Sequence, residues 1–395
     1  MIRNQWKRLA VLLIGFVAAA VAGTVWADDN SGLGSPAVPV SQMNRTYSGG
    51  HVYIGLFETN ADGRWSGNLK KFAVDPDDNS IRDRDGAPAT DPDTGQILDS
   101  AKSFWSIGND GGDVLAGGAG ARLYLDRHLR TVYTKYPNFF GSPFSLYDFS
   151  VTNGGLTAEK LKVPPEQRDA LISDVLGIGR TFGEEQTPWI MGDVVHSSPA
   201  VARLGDKTCI FVGANDGMLH CFLDEDGSEL WSFIPEDLLP KLKRLTDDNP
   251  VHDYFVDGAI KVVDSGEDKI LFFGERRGGD AYHALSVTHP ERPAYLYNIG
   301  PDHLLRPTGG ILGNILNLLE GESLGQSWGK PLAGTIKTGK EQSAKVILLP
   351  GGYDTNQDLD TPKPIDQKGR AVFAIKASDG QVLNNFTYYY NLNWS

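Results

Sequence analysis

Cysteine is almost missing from this chain: 395 residues carry two, Cys209 and Cys221, with no Cys-x-x-Cys spacing. That excludes a zinc ribbon, a thiolate-held iron–sulfur cluster and a disulfide-dense scaffold. Positive charge is also short, with 37 Lys and Arg against 50 Asp and Glu and a formal net charge of −13. Such a surface repels phosphate backbones, so no nucleic-acid partner is expected. Long apolar runs are absent except near the start. There Arg3, Lys7 and Arg8 precede an apolar stretch from Leu9 to Ala22, and Val25-Trp26-Ala27 follows. The stretch is shorter than the roughly 20 residues a membrane helix needs. Its flanks fit a secretory signal peptide over residues 1–27, with an uncleaved anchor as the alternative. Removing it takes away three positive charges and leaves −16. No second stretch is long and apolar enough to span a membrane.

Glycine is what the chain has in excess. Its 46 residues stand well above the roughly 7% of average usage, which calls for many turns. Residues 28–45 are rich in Gly, Pro and Ser and read as a disordered leader, and residues 46–395 as one domain. Strand-like patterns open with "HVYIGLFETN" and "WSGNLKKFAVD", from His51 to Asp75. An acidic excursion follows from Pro76 to Gly120. The carboxylates and amide at Asp75, Asp77, Asp78, Asn79, Asp83 and Asp85 are spaced irregularly, as in a flexible exposed loop and not a metal site. "RLYLDRHLRTVYT", Arg122 to Thr134, reads as a hairpin turning near Arg127-His128. Pro165 to Leu176 reads as a short helix, with proline at its start and Gly177 to stop it.

From Gly192 the pattern becomes regular. "SSPAVARL" with "CIFVGANDGMLHCFLDEDGSELWSFIP" forms one group of four short strands. "YFVDGAIKVVDSGEDKILFFGERRGGDAYHALSVTHPERPAYLYNI" forms a second, and "QSWGKPLAGTIKTGKEQSAKVILLPGGYD" with "GRAVFAIKASDGQVLNNFTY" a third. Each opens on a small strand marked by proline or glycine. An apolar strand ending in glycine comes next, then an alternating strand, then a turn such as Asp226-Gly227 or Asp379-Gly380. Repeats of this kind are blades, so the expected fold is all-β: a quinoprotein-like, incomplete β-propeller of roughly four to five blades with short helices and loop insertions. Two β-sandwiches are the alternative, but they leave the recurring order unexplained.

Within the first group, "FVGANDGMLHCF" is a hairpin signal at Asn215-Asp216-Gly217. If Ala214 to Gly217 form the turn, the sulfurs of Cys209 and Cys221 fall nearly opposite one another. A cross-strand disulfide is then expected, worth about 3 kcal/mol at most, with two buried thiols as the alternative.

Other residues invite chemistry. Asp354, Asn356, Asp358 and Asp360 put oxygen ligands at alternate positions, as a calcium loop begins. Leu359 stands where the turn glycine belongs and Ile365 where the bidentate glutamate belongs, so a solvated acidic loop is the plainer reading. His196, His220, His252 and His283, with Asp253, Asp257 and Asp280 nearby, suggest zinc or acid–base work in principle. No His-x-x-x-His spacing occurs, and hydrogen bonding between blades fits better. Arg276-Arg277-Gly278-Gly279-Asp280 reads as a glycine-rich turn, its second glycine breaking an Arg-Gly-Asp tripeptide. Trp105, Trp231 and Trp328 read as packing between blades, an exposed aromatic binding surface being the alternative.

These strings carry a family resemblance. "SGNLKKFAVD", "DSAKSFWS", "MGDVVHSSPAV", "FVGANDGMLHCF", "ELWSFIPEDLLPKL", "HDYFVDGAIKVVD", "ERRGGDAYHALSV", "LGQSWGKPLAGTI" and "LLPGGYDTNQD" resemble the C-terminal β-propeller of the PilC/PilY family, in the same order, from about Gly67 to about Thr387. The resemblance implies an exported, non-enzymatic type IV pilus factor of the periplasm, outer membrane or cell surface. Such a factor promotes pilus assembly, opposes retraction and sits at the tip as an adhesin, with minor pilins as direct partners. The family propeller also continues well past Thr387, with further blades and an acidic calcium loop. Family members commonly carry a large N-terminal region and further blades, about seven in all, so the chain reads as a truncated form. Two rivals remain. One is a fragment of a secreted quinoprotein dehydrogenase of the pyrroloquinoline quinone (PQQ) type, whose strands look similar but which often has a vicinal cysteine pair that is missing here. The other is a generic propeller scaffold for envelope assembly.

Overall fold

The structure is a computed structural model. It describes residues 44–60, 63, 65–135, 145–178, 189–247, 251–300, 324–337, 343–358, 366, 368–383 and 388–389. The signal peptide and nearly all of the expected leader lie outside them, although Asn44 is already buried and its side chain donates to Gly55 O at 2.6 Å.

Four sheets, antiparallel but for one strand pair, follow one another along the chain. The first is β1 (Arg45–Ser48), β2 (His51–Glu58), β3 (Ser66–Val74) and β4 (Ile81–Arg82). The second contains β7 (Ala200–Leu204), β8 (Lys207–Gly213), β9 (Leu219–Leu223) and β10 (Glu229–Ile234). It is widened by β5 (Val132–Thr134), which pairs parallel to β10, and by β6 (Tyr147–Asp148). The third is β11 (Ile260–Ser265), β12 (Asp268–Gly274), β13 (Tyr282–Ser286) and β14 (Ala294–Ile299). The fourth is β15 (Leu332–Lys337), β16 (Ser343–Pro350), β17 (Ala371–Lys376) and β18 (Tyr388–Tyr389). Their first strands meet side by side: β1 packs on β7, β7 on β11, and β11 on β15. Four-stranded meanders joined through their first strands are blades, and the fold is an all-β propeller.

Alternation along the middle strands makes the seams. In β8, Ile210 and Val212 enter the core shared with the first sheet, while Cys209 and Phe211 enter the core shared with the third. In β12, Leu271 and Phe273 face back toward the second sheet, and Ile270 and Phe272 face the fourth. Each such strand is buried on both faces, which is why it reads as a nearly continuous apolar run. Aromatic side chains also bond each sheet to a turn of the next. Tyr53 OH donates to Asp224 Oδ1 at 2.6 Å and Trp105 Nε1 to Asp224 O at 3.0 Å. Trp231 Nε1 donates to Pro290 O at 2.7 Å, and Tyr297 OH to Ala377 O at 2.6 Å. Trp105 and Trp231 therefore pack between blades, as their positions predict.

Three expectations need correction. The acidic excursion is built rather than loose. Ile81, Ala89, Ile97, Ala101 and Val114 form a core with Val52, Ile54 and Phe72, covering one face of the first sheet. Its carboxylates close local turns: buried Asp83 accepts from the backbone of Asp85, Ala87 and Lys102. Lys70, fully buried, reaches Asp110 Oδ2 at 3.0 Å and the carbonyls of Asp110 and Gly111.

The second correction concerns Arg122 to Thr134. The chain there forms helix α1 (Gly118–Leu125), then a short 3-10 turn, and only Val132–Thr134 is strand. Ala119 and Leu123, four apart, are the buried pair, whereas Leu125 is 64% exposed. Buried Asn68 anchors the helix start, donating to Val114 O and accepting from Gly120 N. The helix expected over Pro165 to Leu176 is present as a 3-10 turn, Pro165–Gln167, followed by α3 (Arg168–Val175), and the short helix α2 (Ala158–Leu161) precedes both.

The third concerns the cysteines. The hairpin turn runs through five residues, Ala214 to Met218, because Gly213 pairs with Leu219. Cys209 then faces Leu223 and Cys221 faces Phe211, so the sulfurs are diagonal neighbours and not opposite. Both are buried free thiols, and no bridge joins them.

Candidate functional site

The segments leading into each sheet converge with the turns after β8, β12 and β16. Gly192 shows how closely they pass: a Cβ there would lie 2.3 Å from Asp216 N. Around this crossing, His196 Nδ1 sits 2.6 Å from Asp257 Oδ2, and His252 Nε2 sits 3.0 Å from Asp193 Oδ2. Asn215 ties the same segments, donating to Asp193 Oδ2 and accepting from Phe255 N at 2.9 Å. His196 and His252 thus bond between the lead-ins of neighbouring sheets, as expected.

Half-buried aromatic rings, half-buried Arg277 and buried Arg276 continue from this crossing as one strip. Phe57 stacks on Trp65 with centroids 6.0 Å apart, and Trp65 stacks on His252 at 3.8 Å. His252 meets Tyr254 edge-on at 4.8 Å, and Arg277 lies 5.7 Å over Tyr254 and 5.3 Å over Trp328. Arg276 sits 4.2 Å over Trp328, which stacks on Tyr353 at 4.7 Å. The strip draws on the first, third and fourth sheets or their lead-ins. Aromatic and arginine side chains in this density are what protein-binding surfaces are made of. Sequence reading found Trp328 but not Trp65, Tyr254 or Tyr353. A signal was available, since Trp65, Tyr254 and Trp328 each stand just ahead of a sheet strand. Arg276-Arg277-Gly278-Gly279-Asp280 is the β12–β13 turn, as read, with Arg276 at φ 54°.

His220 and His283 behave differently: each bonds a glutamate in or beside its own sheet, and His283 also nears Asp237 in the turn after β10. His220 is fully buried between Glu229 Oε1 at 2.7 Å and Asp216 Oδ2 at 3.1 Å. Arg130 Nε closes the group on Glu229 Oε2 at 2.7 Å. Burial alone would lower the histidine's pKa, but the Asp216 and Glu229 carboxylates push it up to about 9. Burial likewise disfavours ionised Glu229, yet Arg130 and His220 hold it down at about 2. His283 Nε2 is 2.8 Å from Glu275 Oε1 and 3.6 Å from Asp237 Oδ1. Asp237, Glu275 and His283 are the group of metal-ligand type among the described residues, their ligand atoms within 4.8 Å of one another.

The calcium-loop residues lie in and beside a 3-10 turn, Thr355–Asp358. Asp354 accepts from Asn356 N at 3.1 Å and Lys368 N at 3.0 Å, and Asp358 accepts from Tyr353 OH at 2.6 Å. Asn356 Oδ1 accepts from Gln357 Nε2 at 3.1 Å, and Asp360 lies outside the described residues. Asp280 pairs with Lys368 and Asp253 with Lys241, at 3.0 and 2.9 Å.

No family model matches the chain. A type IV pilus biogenesis factor PilY1 homolog of Xylella fastidiosa (strain Temecula1) is 31% identical over 209 residues, covering 45% of this chain and 17% of that protein. A second PilY1 homolog of the same strain is 41% identical over 179 residues, covering 44% and 10%. PilY1 of Pseudomonas aeruginosa (strain PAO1) is 30% identical over 201 residues, covering 43% and 15%. The chain thus spans 10 to 17% of the length of these relatives. Among solved structures, that of the Pseudomonas aeruginosa PilY1 C-terminal domain is similar at 28% identity and a TM-score of 0.30, over 45% of this chain and 29% of that one. The resemblance to type IV pilus factors read from the motifs is borne out across whole aligned regions.

Proposed function

We propose that this chain is an exported, non-enzymatic binding propeller that serves type IV pilus assembly. It docks pilus components, minor pilins first among them, on the strip running from Trp65 to Tyr353. The observation that carries this reading is the strip itself, on a chain whose relatives are named as pilus biogenesis factors. Interface energy concentrates in a few aromatic and arginine anchors, and both kinds are set here by stacking before any partner arrives. Opposition to retraction and adhesion at the tip belong to the same proposal, as does calcium binding at the 354–360 loop.

Co-purification of minor pilins with the full chain from piliated cells tests the docking. Arg277→Ala with Trp328→Ala should lower the captured amount about tenfold or more while the fold is retained. Unchanged capture would overturn the strip as the docking surface. Loss of surface pili on deletion, with outer-membrane proteins unaffected, separates this reading from a general envelope scaffold. A calcium-induced rise in Tm that disappears in Asp354→Ala with Asp358→Ala tests the loop.

A further inference from the structure

The second and third sheets place a histidine at the same register position. His220 follows the residue paired with Gly213, and His283 follows the residue paired with Gly274. Each histidine meets two carboxylates, but the two surroundings are not equally complete. Around His220, Arg130 balances Asp216 and Glu229, and both Glu229 oxygens are bonded. Around His283, no lysine or arginine among the described residues ion-pairs with Glu275 or Asp237. Glu275 is fully buried, and its Oε2 has no hydrogen-bond partner. A buried carboxylate oxygen left bare costs several kcal/mol in principle unless a proton or a cation supplies the missing charge. The second sheet answers that need with a guanidinium, and the third leaves it open.

We propose that Asp237, Glu275 and His283 bind one divalent first-row metal ion of the zinc type. Three elements supply the ligands: the helical turn after β10, the end of β12 and the start of β13. One imidazole nitrogen with two carboxylates is a donor set suited to zinc, with manganese the next fit. Ligand atoms within 4.8 Å of one another are drawn together by rotation of Asp237, whose side chain is 45% exposed. The same exposure leaves a coordination position for water. Gly279 keeps the cradle clear, since a Cβ there would lie 1.9 Å from Glu275 Oε2 and 3.5 Å from Asp237 Oδ2. Burial first, and the Asp237 charge second, push the Glu275 carboxyl up to about 8.

The test uses the untagged full chain, freed of metal by a chelator and titrated with zinc against a chromophoric competitor. A single equivalent of zinc should bind at neutral pH, and Tm should rise. Asp237→Asn, at an exposed position, should leave the metal-free Tm unchanged and weaken zinc about tenfold or more. Glu275→Gln should weaken zinc as strongly. Zinc affinity in either variant unchanged from that of the unaltered chain overturns the proposal, as does the absence of zinc binding by the unaltered chain. Preference for calcium over zinc at this site overturns it as well.

Discussion

Arg130 carries its charge from the segment just ahead of β5 into the centre of the second sheet, where two carboxylates share one imidazole. Its side chain and that of Glu229 are each 3% exposed. The pKa shifts fix how this group responds to pH. His220 is raised to about 9, so its contribution to stability is complete below the ordinary value of 6.5 and is lost as pH rises through about 9. Glu229 is lowered to about 2, so its contribution is complete above 4.5 and is lost as pH falls through about 2. The group is strongest between these limits. Arg130→Met leaves a buried acidic charge without its partner and should cost about 3–5 kcal/mol at pH 7, read by urea unfolding. Little of this was legible in the sequence. Arg130 and Glu229 are 99 positions apart, and nothing local marks either as the other's partner. His220 was singled out, yet its expected role between blades holds for His196 and His252 instead.

At the scale of elements, the strands from Ala200 onward were legible because apolar runs ending in glycine recur with Asp-Gly turns. The helix α1 was not. Leu123 and Leu125 alternate like a strand, and only tertiary packing shows that Ala119 and Leu123 form the buried pair. The hairpin was read correctly in kind but one residue short at its turn. Asp216 accepts from Met218 N and Gly217 takes φ 100°, which lengthens the turn and moves the two thiols onto a diagonal. Composition misled on the acidic excursion, because its charges close turns while scattered apolar residues bury against the first sheet. That docking depends on Lys70 and Asp110, whose side chains are 0% and 3% exposed. Asp110→Ala strands the lysine charge and should cost about 3–5 kcal/mol in denaturant unfolding. Lys70→Met with Asp110→Ala should recover part of that loss, since an apolar replacement of both partners leaves no uncompensated charge.

For the molecule as a whole, the blade architecture was readable from repetition, and the binding strip was not. Repetition is a property of the chain, whereas the strip exists only after residues as distant as Trp65 and His252 are folded into contact. The seams between sheets have a mechanical meaning. Each middle sheet is held by the side chains of its two neighbours, and aromatic hydroxyl or indole groups latch each sheet to the following turn. An object assembled through adjacent joints yields to tension one joint at a time. Stretched by its ends in an optical trap, the chain should therefore lengthen in discrete steps, blade after blade, and dissipate pulling work over several rupture events instead of one.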